Sequence, residues 1–314
     1  MTEQEKLVVL GTGTMGHSIA LSAALAGMSV NVWGQDQEDI ERGRKGIAEK
    51  LQVLLRYDAI RSPESEAIKE RVTFTCELDE CVQNATFLIE AIPEDLALKQ
   101  EWFRSLDEQC PTNVILASNT SGLSPTDIAL HTVHKERTIV THFWNPAHLI
   151  PLVEVVRGTY TSDATVDRTL ALLHKMNKKP VVLKKEILGS IGNRLQFALF
   201  REAQNILEQG IATVEDIDAA VRYSIGRRLP VTGVFMSADM GGLDVFDSIS
   251  NYLFPDLGTQ QESLPTMRRL VDEGKYGQKN GEGFYRWTPE FSQKMNEERE
   301  RELIEWLKKD FDRA

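Results

Sequence analysis

Four consecutive apolar residues, Leu7-Val8-Val9-Leu10, stop at the run Gly11-Thr12-Gly13-Thr14-Met15-Gly16. A short apolar run ending at glycine reads as a buried parallel strand. The residues after it (HSIALSAALAG) are small and helix-compatible and end at Gly27, a helix terminator. Met28 to Trp33 then reads as a second strand. Strand, glycine turn, helix and strand within about thirty residues make a βαβ unit. In the G-x-G-x-x-G pattern, Gly11 permits the tight turn, Gly13 lets the backbone approach a pyrophosphate, and Gly16 lets the helix pack closely on the strand. Glycine turns are common, and the strand before and helix after are what give this one meaning.

The alternation continues. Asp39–Tyr57 and Lys99–Gln109 are helical in pattern, and Arg61–Glu66, with Pro63, reads as a turn. Val72–Thr75, Ala85–Ala91, Val114–Ala117, Thr138–His142, Pro151–Val156 and Val181–Leu183 read as strands. Strands alternating with helices predict an α/β fold with a doubly wound parallel sheet. Near Lys185 the character changes. Asn193–Gln209 is one long helical pattern, Thr213 can cap a helix beginning near Glu215, and Ser292–Asp312 is a charged helix with a Met295, Leu303, Leu307 stripe. The expectation is an N-terminal Rossmann-type domain over residues 1–185 and an all-helical domain over residues 186–314, two domains in 314 residues.

Composition narrows the partners. With 36 basic and 47 acidic side chains, the formal net charge of -11 has the wrong sign for nucleic acid or an anionic membrane. Cys76, Cys81 and Cys110 lack metal-ligand or disulfide-framework spacing, so no metal is expected and the thiols read as free. The polar start MTEQEK is no signal peptide and no apolar run is long enough to cross a bilayer, so a cytoplasmic protein is expected.

An acid near the end of the second strand of such a fold takes the adenosine ribose. Trp33 and Gly34 end the strand here, and Asp36, twenty residues after Gly16, is the nearest acid. It reads either as that ligand or as a solvated loop aspartate. No arginine directly follows the strand, which favours NAD over NADP; Arg42 and Arg44 read as solvated helix residues.

Ligands of open parallel sheets bind beyond the carboxyl ends of the strands. Ser118-Asn119-Thr120-Ser121 and His142-Phe143-Trp144-Asn145-Pro146 lie at such ends. Histidine suits removal of a hydroxyl proton near neutrality, so His142 reads either as an acid/base or as a hydrogen-bonded strand-end residue. Glu154, in the apolar run LVEVV, reads either as a buried partner for a histidine or as a strand residue facing water. Ser121 is either a substrate donor or a turn serine, and Asn193 either a polar site group or a helix cap.

Together these segments resemble the L-3-hydroxyacyl-CoA dehydrogenase family. The resemblance rests on GTGTMG, EAIPE (Glu90–Glu94), ASNTS (Ala117–Ser121), HFWNP, PLVEVV (Pro151–Val156), GNR (Gly192–Arg194) and YGQKNGEGFY (Tyr276–Tyr285). His142 falls 21 residues after Ser121, and Glu154 falls 12 after His142. The resemblance implies an NAD-dependent enzyme with His142 as general acid/base, Glu154 orienting it, and Ser121 and Asn193 holding the substrate. The expected cofactor contacts are Gly11, Gly13, Thr14, Met15, Gly16, Asp36 and Asn119, and the resemblance adds Glu94 and Lys99. It also implies a homodimer formed through the helical domain.

The chain departs from the family where the usual ribose aspartate is Gly34, where a second serine is Gly122, and where Leu229–Asp244 replaces the usual turn. The segment after Lys50 lacks the lysine-rich stretch that meets coenzyme A, leaving Arg56 and Arg61 as the candidate substrate-binding cations. The expected reaction interconverts a short 3-hydroxyacyl-CoA, of the 3-hydroxybutyryl type, and the 3-ketoacyl-CoA. Two other readings are the same chemistry on a free 3-hydroxy acid or a carnitine, gulonate or pyridine-type alcohol, and a non-catalytic, crystallin-like cofactor-binding protein.

Overall fold

The structure, a computed structural model, describes residues 5–312, with side chains described to residue 310. Eight strands form one sheet: β1 Leu7–Leu10, β2 Val30–Trp33, β3 Val72–Thr75, β4 Phe87–Glu90, β5 Ile115–Ser118, β6 Thr138–Phe143, β7 Leu152–Arg157 and β8 Lys179–Leu183. Their order is β3-β2-β1-β4-β5-β6-β7-β8. The order reverses at β1 and β4, which places the fold's ligand crevice at their carboxyl ends.

Seven helices accompany the sheet: α1 Thr14–Leu25, α2 Gln37–Arg56, α3 Ser62–Glu70, α4 Leu78–Gln83, α5 Leu96–Gln109, α6 Pro125–Ile128 and α7 Asp163–Lys175. Both sheet faces are covered, which is why the central strands are apolar without alternation. Leu7 and Val9 pack with Ile19, Ala20 and Ala23 of α1. Val8 and Leu10 face the other way, onto Phe103 and Leu106 of α5. Phe103 is fully buried, and truncating it to alanine should cost about 3–5 kcal/mol.

The sheet is not wholly parallel, in contrast to the expectation from sequence. β6 and β7 run antiparallel, with Ile139 opposite Arg157 and Phe143 opposite Val153. The connection, residues 144–151, has no helix; a parallel return needs a longer crossover. A second difference lies at Arg61–Glu66, which is the start of α3 and not a turn. Arg61 precedes the helix, its backbone N–H donates to Glu64 Oε2 at 2.7 Å, and Pro63 sits in the first turn, where proline is tolerated.

The chain divides into two compact units. One runs up to Ile191 and resumes at Glu298; the other is Gly192–Glu297. The second contains most of α8 (Ser190–Glu208), then α9 Val214–Tyr223, α10 Ile225–Thr232, α11 Phe235–Gly241, α12 Leu243–Leu253 and α13 Pro265–Asp272. The last helix, α14 (Pro289–Asp312), returns to the first unit. There Ile304 and Leu307 are buried against Leu21, Ile47 and Leu51 of α1 and α2. A single boundary at 185/186, drawn from the change in pattern, assigned this stretch to the helical domain because its apolar stripe does not say which core it enters. Among the described residues no helix is long and apolar enough to cross a membrane.

Candidate active site

The glycine turn joins β1 to α1. Gly11 has φ 106°, and a Cβ there would stand 2.7 Å from Ala91 O; a Cβ on Gly16 would stand 1.9 Å from Gly11 O. Neither position admits a side chain. Gly13 has nothing within 4 Å of its Cβ position, and Gly13 and Thr14 are exposed. That leaves open backbone at a helix N-terminus, which fits the pyrophosphate of a dinucleotide. Met15 packs partly against the core beneath. Behind the turn, Lys50 Nζ donates to His17 Nε2 at 2.9 Å, so His17 Nδ1–H donates to Thr12 O at 3.0 Å. Burial holds both His17 and Lys50 below their usual pKa ranges. Sequence reasoning did not single out either residue; their link spans 33 positions.

His142 and Glu154 stand directly opposite each other in the antiparallel β6–β7 register. His142 Nδ1 lies 2.8 Å from Glu154 Oε2, and both side chains are buried. Trp144 Nε1 donates to the same oxygen at 3.1 Å, and Ile191 N donates to Glu154 Oε1 at 2.7 Å. A carboxylate accepting from three sides is fixed in place, and it fixes the imidazole in turn. Glu154 therefore faces its partner and not water.

A second buried network closes β4 and β5. Glu90, fully buried at the end of β4, accepts from Lys99 Nζ at 2.5 Å, Ser118 Oγ at 2.5 Å and Ile92 N at 2.8 Å. Lys99 Nζ also lies 3.5 Å from Glu94 Oε2. Glu94 Oε1 accepts from Thr120 Oγ1 at 2.5 Å, Ser121 N at 3.0 Å and, weakly, Ser121 Oγ at 3.4 Å. Lys99, expected at the cofactor, has an ammonium that is 1% exposed and is held between the two glutamates. Asn119 Oδ1 accepts from Phe143 N at 2.9 Å, which ties the end of β5 to the residue after His142. Glu90 was legible only as the first letter of EAIPE; a glutamate ending the apolar run FLIE is a buried charge in need of a partner, and that was the available signal.

The remaining candidates stand at helix ends. Asp36 is exposed and caps α2, its Oδ1 accepting from Asp39 N at 2.8 Å. Asn193 lies in the first turn of α8, in the helical unit, and not at the cap, because the helix begins at Ser190. Arg56 is exposed in the last turn of α2. Arg61 is exposed and paired with Glu64 at 2.6 Å. Among the described residues no three metal-ligating side chains cluster, and the three cysteines are free.

Residues 6–187 match the family described as 3-hydroxyacyl-CoA dehydrogenase, NAD binding domain, and residues 189–287 match its C-terminal domain. The chain is 34% identical over 298 residues to 5-formyl-3-hydroxy-2-methylpyridine 4-carboxylate 5-dehydrogenase of Mesorhizobium japonicum, covering 95% of this chain and 96% of that protein. It is 34% identical over 281 residues to 3-hydroxybutyryl-CoA dehydrogenase of Clostridioides difficile, covering 89% and 98%. Among solved structures it is similar to a 5-formyl-3-hydroxy-2-methylpyridine 4-carboxylic acid 5-dehydrogenase described as an NAD+ dependent dismutase. The TM-score is 0.89 at 32% identity, covering 98% of each chain.

Proposed function

Since the chain belongs to the 3-hydroxyacyl-CoA dehydrogenase family and is an NAD-dependent oxidoreductase, we propose that it interconverts a hydroxyl-bearing substrate and the matching carbonyl compound, with His142 moving the proton. The observation that carries this reading is the 2.8 Å His142–Glu154 pair at the end of β6. NAD, when bound, supplies the hydride acceptor, and in its reduced form the donor. His142 Nδ1 is engaged by Glu154, so Nε2 is the atom that takes the hydroxyl proton in oxidation and returns it in reduction. The Glu154 carboxylate holds the ring and stabilises the imidazolium that forms. Ser121 Oγ, held only weakly by Glu94, donates to the substrate oxygen in this proposal.

The substrate we propose is a small polar compound without coenzyme A, of the pyridine-carboxylate or hydroxy-acid class. Two observations support it. The match to the pyridine-type dehydrogenase extends over nearly the full length of both chains. The stretch 51–66, where the family's lysine-rich segment would meet coenzyme A, offers Arg56 and an Arg61 already paired with Glu64. A short acyl-CoA is the second reading, favoured by the match over both family domains and by the likeness to 3-hydroxybutyryl-CoA dehydrogenase. The test is NADH consumption with acetoacetyl-CoA beside acetoacetate, dehydrocarnitine and a formyl-pyridine carboxylate. Turnover of the free acids with none of the thioester supports the proposal. Preference for the thioester, with KM raised in an Arg56→Ala, Arg61→Ala double variant, overturns it.

The proposal includes a homodimer formed through the helical unit, in a reducing, cytoplasmic setting. Phe235 is 88% exposed, and Val231, Met240 and Leu243, close to it along the chain, are also exposed; exposed apolar side chains of this kind support an association surface. Light scattering on eluted protein should give twice the chain mass, and a monomer would remove this part.

A further inference from the structure

The carboxyl end of β2 is where a dinucleotide fold of this kind places the acid that holds the adenosine ribose. The residue leaving β2 here is Gly34, which has no side chain to offer. Asp36 follows as the N-cap of α2, its Oδ1 accepting from Asp39 N. Asp39 stands closer to the vacated position. Its Cβ is 3.2 Å from the point a Cβ on residue 34 would occupy. Its Oδ2 accepts from Gln35 N at 3.2 Å, so the carboxylate lies along the backbone that leaves β2. The same point is 3.0 Å from Thr12 Cγ2, within the glycine turn, and 3.3 Å from Ile40 Cγ1. A side chain at 34 would crowd Thr12, Asp39 and Ile40, and the Asp39 side chain stands beside that space, next to the pyrophosphate turn. Arg42 pairs with Asp39 Oδ1.

We propose that Asp39 selects NAD over NADP: its carboxylate takes the ribose hydroxyls and repels a 2′-phosphate, while it also holds the Arg42 guanidinium occupied. Each carboxylate oxygen has more than one acceptor site, so contacts to Gln35 N and Arg42 leave capacity for a hydroxyl donor. Removing the charge removes the repulsion and frees Arg42 to meet a phosphate.

Asp39 also sits in the first turn of α2, where an acid stabilises the helix. A helix-stabilising role alone lowers melting temperature without distinguishing the two cofactors. The test is therefore the ratio of NADPH to NADH dissociation constants, from fluorescence titrations of the full chain, with melting temperature read alongside. In Asp39→Asn the ratio should fall by about ten-fold or more, the loss of a single charge-assisted contact or repulsion. Asp39→Glu should retain part of the NADH preference. Asp36→Asn should lower the melting temperature and leave the ratio unchanged. If Asp39→Asn fails to fold, Arg42→Gln is read in its place; it should preserve or sharpen the NADH preference. An unchanged ratio in Asp39→Asn, a ratio that moves in Asp36→Asn, or loss of NADH preference in Arg42→Gln overturns the proposal.

Discussion

Two wholly buried glutamates lie in the same sheet and differ in what completes them. Glu90 faces an ammonium, Lys99, along with Ser118 Oγ and Ile92 N. Glu154 faces an imidazole, His142, along with Trp144 Nε1 and Ile191 N. The first set encloses Lys99 between Glu90 and Glu94 and holds the ends of β4 and β5 in place. In the proposed reaction His142 takes a second proton as a hydroxyl is deprotonated, and the Glu154 carboxylate then stabilises the imidazolium. An interaction that strengthens only at that point lowers a barrier, whereas one equally strong throughout does not.

Neutralising each carboxylate separates the two roles. Glu154→Gln keeps the shape and removes the charge, and turnover should fall roughly 100-fold, within the range for a positioned acid/base. NADH binding should change by no more than about two-fold, since the effect is confined to the chemical step. Glu90→Gln removes the nearer and fully buried partner of Lys99, leaving Glu94 at 3.5 Å, and should destabilise the protein by up to about 3–5 kcal/mol, with a smaller effect on turnover. Adding Lys99→Met should restore most of that stability, because it removes the buried charge that Glu90 had compensated. Denaturant titration beside steady-state kinetics reads both. Equal losses of turnover in the two glutamine variants would erase the distinction.

A buried histidine sets the pH range in which that comparison is clean. His148 is buried with Nδ1 2.9 Å from Ser18 Oγ, and burial, with Lys50 and Lys178 nearby, pushes its pKa down to about 3. The unfolded chain binds this proton below pH 6.5 and the folded protein does not until about 3. Stability is therefore full above 6.5 and is lost as pH falls towards 3, at about 1.4 kcal/mol per pH unit. His17, also lowered by burial, adds in the same direction. His148→Gln should flatten the slope between pH 6 and 4.5 in urea titrations; an unaltered slope would assign the loss to other groups.

The parts legible in the sequence were those that follow from local pattern. The glycine spacing with its flanking strand and helix identified β1, α1 and β2, and apolar runs located every other strand to within a few residues. The His142–Glu154 pair was an inference of chemical need, a buried acid and a strand-end histidine. What joined them is the antiparallel β6–β7 register, and nothing in either strand's own sequence states its direction. Asp36 and Asp39 show the same limit at closer range. Distance along the chain pointed to Asp36, whereas the turn into α2 also brings Asp39 against Gly34. The Glu90–Lys99 pair and the return of α14 to the first unit are long-range or tertiary facts of this kind.

The account rests on His142 as the group that moves the proton, and His142→Gln tests that most directly. Turnover and NADH affinity are measured on the same preparation, with the substrate that the panel identifies. Turnover should fall by roughly 100-fold or more while NADH affinity stays within about two-fold of the parent. Turnover near the parent value, with NADH still bound, would contradict the assignment.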